Sequence, residues 1–165
     1  DESGRRFKRN WSFKVYLTNP SMRAALFGPV SGEDEVMGNL AETAIFSQWV
    51  HPAAGGDLCY ARWKGGEVDL IGLSPGEQKA EWLAEIKWRD RYFEDPERLS
   101  GLLSFARRNG LDSGLATTRG KSGTQEVGGV TVNFSPSSLF CYGVGRSVID
   151  GLMEEQGRGT PGAMQ

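Results

Sequence analysis

Two segments predict the central strands of a β-sheet: Gly66-Glu67-Val68-Asp69-Leu70-Ile71-Gly72-Leu73 and Glu81-Trp82-Leu83-Ala84-Glu85-Ile86-Lys87-Trp88. Apolar residues are frequent in both segments, which is typical of strands that are buried on at least one side. The polar turn over residues 74–79 predicts that the two strands form one antiparallel hairpin. Charged residues on central strands are costly unless they are paired or bound to a metal. The charged side chains of this hairpin therefore need an explanation.

The hairpin has its midpoint near Glu77, and this register places Asp69 opposite Glu85. Side chains two positions apart on a strand share a face, so Glu85 and Lys87 point the same way. Because neighbouring strands lie about 4.8 Å apart, two carboxylates and one ammonium group are expected in one small volume. A hard cation such as Mg²⁺ (or Mn²⁺) relieves the repulsion between the carboxylates and leaves room for a substrate phosphate. We therefore predict a metal site suited to phosphodiester hydrolysis, with Asp69 and Glu85 as ligands and Lys87 as catalytic base or charge stabiliser.

The rest of the chain predicts helices and strands around this hairpin. A helix over about residues 33–50 has an apolar stripe, and Glu42 lies at the border of that stripe. The other predicted elements are a strand over 11–18, a helix over Ser21–Phe27, a strand over Leu58–Trp63, a helix from Asp95 to about Asn109, and strands over Gly114–Thr118 and Gly129–Phe134. This order predicts an α/β fold with a small mixed central sheet flanked by helices.

Length and composition limit the kind of protein. The chain has 165 residues, which is the size of one domain, and we expect a single domain over 1–142. From Gly143 onward the sequence is Gly-rich and without periodicity, so a flexible tail is predicted over 143–165. A net charge of −2 argues against a protein that coats nucleic acid, so any such interface must be local.

Few residues of this chain are suited to zinc binding or disulfide formation. Two cysteines and one histidine cannot make the usual four-ligand zinc site, and they give no reason to expect a disulfide framework. A reducing cytoplasm is therefore the expected location. The sequence has no apolar run of the roughly 18 residues that a membrane span needs, so no membrane partner is expected.

Gly66-Glu67-Val68-Asp69 and Glu85-Ile86-Lys87 resemble the motif of the PD-(D/E)XK, or restriction-endonuclease-like, nucleases. Most of the chain is also similar to a C-terminal domain of unknown function found on bacterial and archaeal AAA-type ATPases. That similarity includes Lys14-Val15-Tyr16 and Gly38-Asn39-Leu40-Ala41-Glu42. The resemblance implies a restriction-endonuclease-like fold with Glu42 as an auxiliary metal ligand. It also implies that the partner is nucleic acid, with DNA expected in preference to RNA, and that an ATPase domain is present in the same chain or in a partner chain.

Three alternatives stay open at this point. The charged residues of the hairpin could form an ordinary cross-strand ion pair on a solvated face. The same fold could serve as a non-catalytic interaction or DNA-binding module of an ATPase. The basic residues after the hairpin, interleaved with aromatic ones, could follow a nucleic-acid backbone or form a solvated charged face. These basic residues are Arg89, Arg91, Arg98, Arg107, Arg108, Arg119 and Lys121.

Overall fold

A computed structural model of the protein describes residues 16–17, 19–49, 58–74 and 76–158. Within them the chain forms five α-helices and six strands. The helices are α1 (Ser21–Phe27), α2 (Met37–Gln48), α3 (Arg91–Glu94), α4 (Ser100–Asn109) and α5 (Ser137–Arg158), with a 3-10 turn at Pro96–Arg98 between α3 and α4. The strands are β1 (Leu58–Trp63), β2 (Gly66–Leu73), β3 (Ala80–Glu85), β4 (Ser113–Thr118), β5 (Gly123–Val127) and β6 (Val130–Pro136). The protein is thus a mixed α/β fold, as predicted.

The six strands form one mixed sheet in the order β1-β2-β3-β4-β6-β5. Strands β1, β2 and β3 are antiparallel neighbours, β3, β4 and β6 run parallel, and β5 returns antiparallel to β6. Helix α4 connects β3 to the parallel strand β4, because parallel neighbours need a crossover connection. The carboxyl ends of β3 and β4 therefore lie at the same edge of the sheet.

The two faces of the sheet carry two apolar clusters. The first, which we call the α4-side cluster, includes Ile71, Leu83, Leu102, Ala116 and Phe134. The second, the α2-side cluster, includes Ala41 and Ile45 of α2, Leu70 and Ala84 of the sheet, and Phe140 of α5. Helices thus cover both faces, which is the layered arrangement of an α/β domain.

Helix α4 approaches the sheet closely at Gly101. A Cβ atom at this position would lie 2.3 Å from the carbonyl oxygen of Glu67, so any side chain would push the start of α4 away from β2. This contact keeps the first turn of α4 against the strand that carries Asp69. Glycine is therefore a packing requirement at this position.

Several predicted elements have different bounds in the structure. Helix α2 begins at Met37 instead of about residue 33, because residues 31–36 form turns in which Asp34 accepts a hydrogen bond from the Ser31 amide. The helix predicted from Asp95 begins as the 3-10 turn Pro96–Arg98 and becomes α-helical only from Ser100, as α4. Strand β3 ends at Glu85, three residues earlier than predicted. The strand predicted over 11–18 falls largely outside the described residues.

Strand β5 was not predicted from the sequence. It pairs with β6 through a turn at Gly128 and Gly129, whose φ angles of 57° and 79° are readily adopted by glycine. The Gly-Gly pair between two short polar and β-branched segments was the available signal.

The prediction of a flexible tail over residues 143–165 is wrong for residues 143–158, because these residues belong to helix α5. Val144 and Val148 are buried, and with Phe140 they repeat every four residues along the helix. The glycines of this stretch weakened the helical signal, but Gly145 packs closely enough that an added Cβ would lie 3.3 Å from Oε1 of Gln48 in α2. Packing against α2 and the sheet therefore stabilises a helix that composition alone disfavours. Residues 159–165 lie outside the described part of the chain.

Candidate metal centre

Asp69, Glu85 and Lys87 come together where β2 and β3 separate. The register of this pair, Leu70 with Ala84 and Ile71 with Leu83, continues by one position to set Asp69 opposite Glu85. This is the register expected from the sequence. Asp69 and Glu85 are 1% and 6% exposed, so both carboxyl groups lie inside the protein and not on a solvated face.

Lys87 points its ammonium group at both acids. Its Nζ lies 2.7 Å from Glu85 Oε1 and 4.0 Å from Asp69 Oδ2, and its side chain is only partly exposed. The same nitrogen lies 5.6 Å from the ring centroid of Tyr92, within the range of a cation–π interaction. The prediction that Glu85 and Lys87 share a face is therefore confirmed, although Lys87 lies two residues beyond the end of β3.

Asp69 is held by the backbone of the neighbouring segment. The Ile86 amide donates a hydrogen bond to Asp69 Oδ2 over 3.0 Å, and this contact is buried. The carboxylate accepts the amide at the position where the regular β2–β3 pairing has ended. Asp69 therefore fixes the direction of the backbone between Glu85 and Lys87.

Glu85 has one oxygen paired and one without a partner. Oε1 meets the Lys87 ammonium group, whereas Oε2 is buried and has no hydrogen-bond partner in the described part of the chain. Burial raises the pKa of Glu85 to about 7, the charge of Lys87 acts in the opposite direction, and the charge of Asp69 adds to the increase. A buried polar atom without a partner is costly, so this oxygen is the one feature of the site that calls for a cation or a proton.

Lys87 keeps its proton in this environment. Burial acts to lower the pKa of its ammonium group, but the charge and hydrogen bond of Glu85, with a further contribution from Asp69, raise the pKa overall. A lysine with a raised pKa is a poor base at neutral pH. Of the two roles predicted for Lys87, charge stabiliser is therefore the one that its surroundings favour.

The backbone of Lys87 is held by two buried hydroxyl groups that the sequence analysis did not single out. Thr117 Oγ1 accepts a hydrogen bond from the Lys87 amide and donates one to the Lys87 carbonyl, both over 2.8 Å. Ser137 Oγ lies 3.3 Å from the same carbonyl oxygen and 3.1 Å from that of Thr118. The only signal in the sequence was a pair of threonines at the end of a predicted strand.

Glu42 is not brought into a three-acid group with Asp69 and Glu85. It lies on α2, and its Oε2 accepts a hydrogen bond from the hydroxyl of Tyr16 over 3.0 Å. Tyr16 in turn stacks on Phe46, one helical turn after Glu42. Among the described residues no group of three or more His, Cys, Asp or Glu side chains is arranged to hold a metal ion. The auxiliary role of Glu42 stays a prediction.

The basic residues that follow the hairpin do not form one cluster in the described part of the chain, because they lie at both ends of strands β3 and β4. Arg107 and Arg108 lie in the last turn of α4. Because α4 runs antiparallel to β3 and β4, they lie near the amino ends of these strands, whereas Lys87 follows the carboxyl end of β3. Arg89 and Arg119 follow the carboxyl ends of β3 and β4, and both form ion pairs with Glu33. The predicted basic set is therefore divided between the two ends of these strands.

A network of loops surrounds the site at this edge. The Asp90 carboxylate accepts hydrogen bonds from the backbone amides of Arg119 and Gly120, over 3.0 and 2.9 Å. The indole of Trp88 donates to the carbonyl of Gly32 over 2.8 Å, which ties the segment before α2 to the segment after β3. These contacts join three loops beside Lys87.

In the described ranges, no helix is both long and apolar enough to span a bilayer. Comparison with known proteins gives no relative: no family model, no curated protein and no solved structure matches this chain.

Proposed function

We propose that this chain is a divalent-metal-dependent nuclease domain with a restriction-endonuclease-like fold, which hydrolyses phosphodiester bonds of nucleic acid. The observation that carries the proposal is the unpartnered Oε2 of Glu85, buried beside the carboxylate of Asp69. The element order helix, three strands, helix, strand around these residues supports the fold assignment. The context of a larger ATPase protein is part of the same proposal and rests on the sequence resemblance.

The residues present fit a small hard cation. Two carboxylates on adjacent strands offer the oxygen ligands that Mg²⁺ and Mn²⁺ prefer, and a cation at Glu85 Oε2 would supply the partner that this atom lacks. Asp69 and Glu85 would hold the ion. An auxiliary role for Glu42 rests on the sequence resemblance, since its carboxylate accepts a hydrogen bond from Tyr16. A bound Mg²⁺ would supply Lewis acidity toward a phosphate oxygen and make a water molecule easier to deprotonate.

The side chains of the chain itself have defined tasks in this reaction. Hydrolysis joins the oxygen of water to phosphorus, breaks one phosphorus–oxygen ester bond and releases an alcohol. The Lys87 ammonium group remains charged. It neutralises the additional negative charge that develops on the phosphate during hydrolysis. Tyr92 and the backbone contacts of Lys87 limit where this ammonium group can lie.

Nucleic acid is the substrate class that the surroundings favour. Arg89 and Arg119 flank the carboxyl ends of β3 and β4, and each already binds the carboxylate of Glu33. Guanidinium groups bind phosphate in the same paired fashion as carboxylate. Because all three side chains are substantially exposed, exchange of Glu33 for a backbone phosphate costs little.

The test is cleavage of duplex DNA, single-stranded DNA and RNA by the purified chain with Mg²⁺, Mn²⁺ or EDTA. We expect metal-dependent cleavage that Asp69→Asn abolishes and that Asp95→Asn, which removes one exposed carboxylate, leaves intact. Calorimetric titration with Mn²⁺ should show binding to the wild type and none to Asp69→Asn. Equal inactivity of the wild type and Asp69→Asn without Mn²⁺ binding would refute the proposal and favour a non-catalytic interaction module.

A further inference from the structure

We propose that Thr117 is a positioning residue, whose hydroxyl group fixes the backbone of Lys87 and so holds its ammonium group at the two acids. The inference adds a residue to the site and, in its catalytic consequence, rests on the proposed nuclease function. The claim about the backbone of Lys87 stands on geometry alone.

Regular pairing between β3 and β4 ends just before Lys87. The parallel register runs through Ala84 with Leu115 and Glu85 with Ala116, and β3 stops at Glu85. Lys87 is therefore beyond the last backbone ladder contact of its strand. A residue in this position normally has its amide and carbonyl groups satisfied by solvent or by irregular contacts.

The Thr117 hydroxyl supplies both missing contacts at once. It accepts from the Lys87 amide and donates to the Lys87 carbonyl, each over 2.8 Å, so one hydroxyl group serves both backbone groups of this residue. Thr117 is fully buried, so water does not compete for these bonds. One side chain thus continues the sheet by one residue where the two backbones have separated.

This anchoring matters because a lysine side chain is flexible. Four rotatable bonds separate Nζ from the backbone, and the contacts of Nζ with Glu85 at 2.7 Å and with the Tyr92 ring at 5.6 Å fix only its far end. With the backbone also fixed, both ends of the side chain are held, which restricts where the ammonium group can lie. Loss of the anchor would allow displacements of about 1 Å, which are enough to reduce turnover by about 100-fold.

The chain contains a matched control in the next residue. Thr118 is equally buried, and its hydroxyl group makes the same two-way contact with the amide and carbonyl of Lys121 instead of Lys87. Substitution of either threonine by valine removes one buried hydroxyl and keeps the branched shape. The two variants differ in which lysine loses the contacts of its backbone with a threonine hydroxyl, and in Thr117→Val the Lys87 carbonyl keeps the Ser137 hydroxyl at 3.3 Å.

Hydrogen exchange in the full chain tests the geometric claim without any substrate. In ¹⁵N spectra, the Lys87 amide should exchange several-fold faster in Thr117→Val than in the wild type, and Thr117→Ser should restore protection. In Thr118→Val the Lys121 amide should lose protection while Lys87 keeps it. Unchanged exchange of Lys87 in a folded Thr117→Val protein would overturn the proposal, whether or not the chain is a nuclease.

Kinetics with Mg²⁺ test the catalytic consequence. Thr117→Val should lower kcat by about 100-fold with KM nearly unchanged, and Thr117→Ser should recover most of it. Thr118→Val should have a much smaller effect on kcat. Equal losses in the two valine variants would overturn the positioning role, because they would indicate a general loss of packing. An inert wild-type protein would refute the nuclease function, and hydrogen exchange would still decide the role of Thr117.

Discussion

The amide of Ile86 and the carboxylate of Asp69 are joined by a buried hydrogen bond of 3.0 Å that crosses from the end of β3 to β2. Replacing Asp69 with alanine would leave this amide without an acceptor, at a cost of about 1–3 kcal/mol in the free energy of unfolding. Asparagine keeps an acceptor oxygen, so Asp69→Asn should lose much less stability. Urea denaturation of both variants measures the difference, and equal stabilities would show that the bond contributes nothing to folding.

The buried carboxyl group of Glu85 should make stability depend on pH. Its pKa is about 7 in the folded protein against an ordinary value of 4.5, so the folded state favours the protonated form. The stability that this preference contributes is complete below about pH 4.5 and is lost as the pH rises through about 7. Lys87 remains charged throughout this range and does not offset the loss.

Glu85→Gln isolates this effect, because glutamine cannot ionise. The stability of the wild type relative to the variant should fall by up to about 3 kcal/mol between pH 5 and pH 8 in EDTA. Chemical denaturation at several pH values provides the measurement. A constant difference between the two proteins across this range would show that Glu85 titrates normally.

Lys87 should compete with a metal ion for the two carboxylates, since it already places a positive charge beside them. Lys87→Met should therefore bind Mn²⁺ at least as tightly as the wild type, while cleavage falls by about 100-fold. Lys79→Met is the control, because Lys79 forms an exposed pair of similar length, 2.8 Å, with Glu77. Weaker Mn²⁺ binding by Lys87→Met would show that the ammonium group supports the site instead of competing for it.

Glu33 should weaken nucleic-acid binding by occupying Arg89 and Arg119. Glu33→Gln should tighten the binding of a short DNA duplex in EDTA by about fivefold, because an exposed ion pair is worth about 1 kcal/mol at most. Asp95→Asn makes the same change in net charge and releases Arg98 instead. If fluorescence anisotropy gives the same increase in DNA affinity for both variants, the effect comes from net charge and not from the release of Arg89 and Arg119.

Helix α5 should contribute to the folded domain instead of behaving as a tail. Val144 is 7% exposed, so Val144→Ala should cost about 1–2 kcal/mol of unfolding free energy. Ile149 on the same helix is 55% exposed, and Ile149→Ala should have almost no effect. Equal stabilities of the two variants in urea would mean that α5 does not pack on the domain.

Local sequence patterns were sufficient to predict the strands and the register around the candidate site. Apolar patterning located β2 and β3, and the polar turn between them was enough to place Asp69 opposite Glu85, because side chains alternate and hairpin pairing is symmetric about its turn. The same local rules identified α1, α2, β1, β4 and the residues of α4. These features depend on neighbours close in sequence, so local patterns carry them.

The surroundings of those residues depend on contacts between segments that are distant in the sequence. Thr117 contacts Lys87 from 30 residues away, and Glu33 contacts Arg119 from 86 residues away, so no local pattern predicts either pair. The helical state of residues 143–158 depends on burial of Val144 and Val148 against the rest of the fold, which offsets the low helix propensity of their glycines. Spacing along the chain reveals which side chains share a strand face, but burial, unpartnered oxygens and pKa shifts arise only when distant segments pack together.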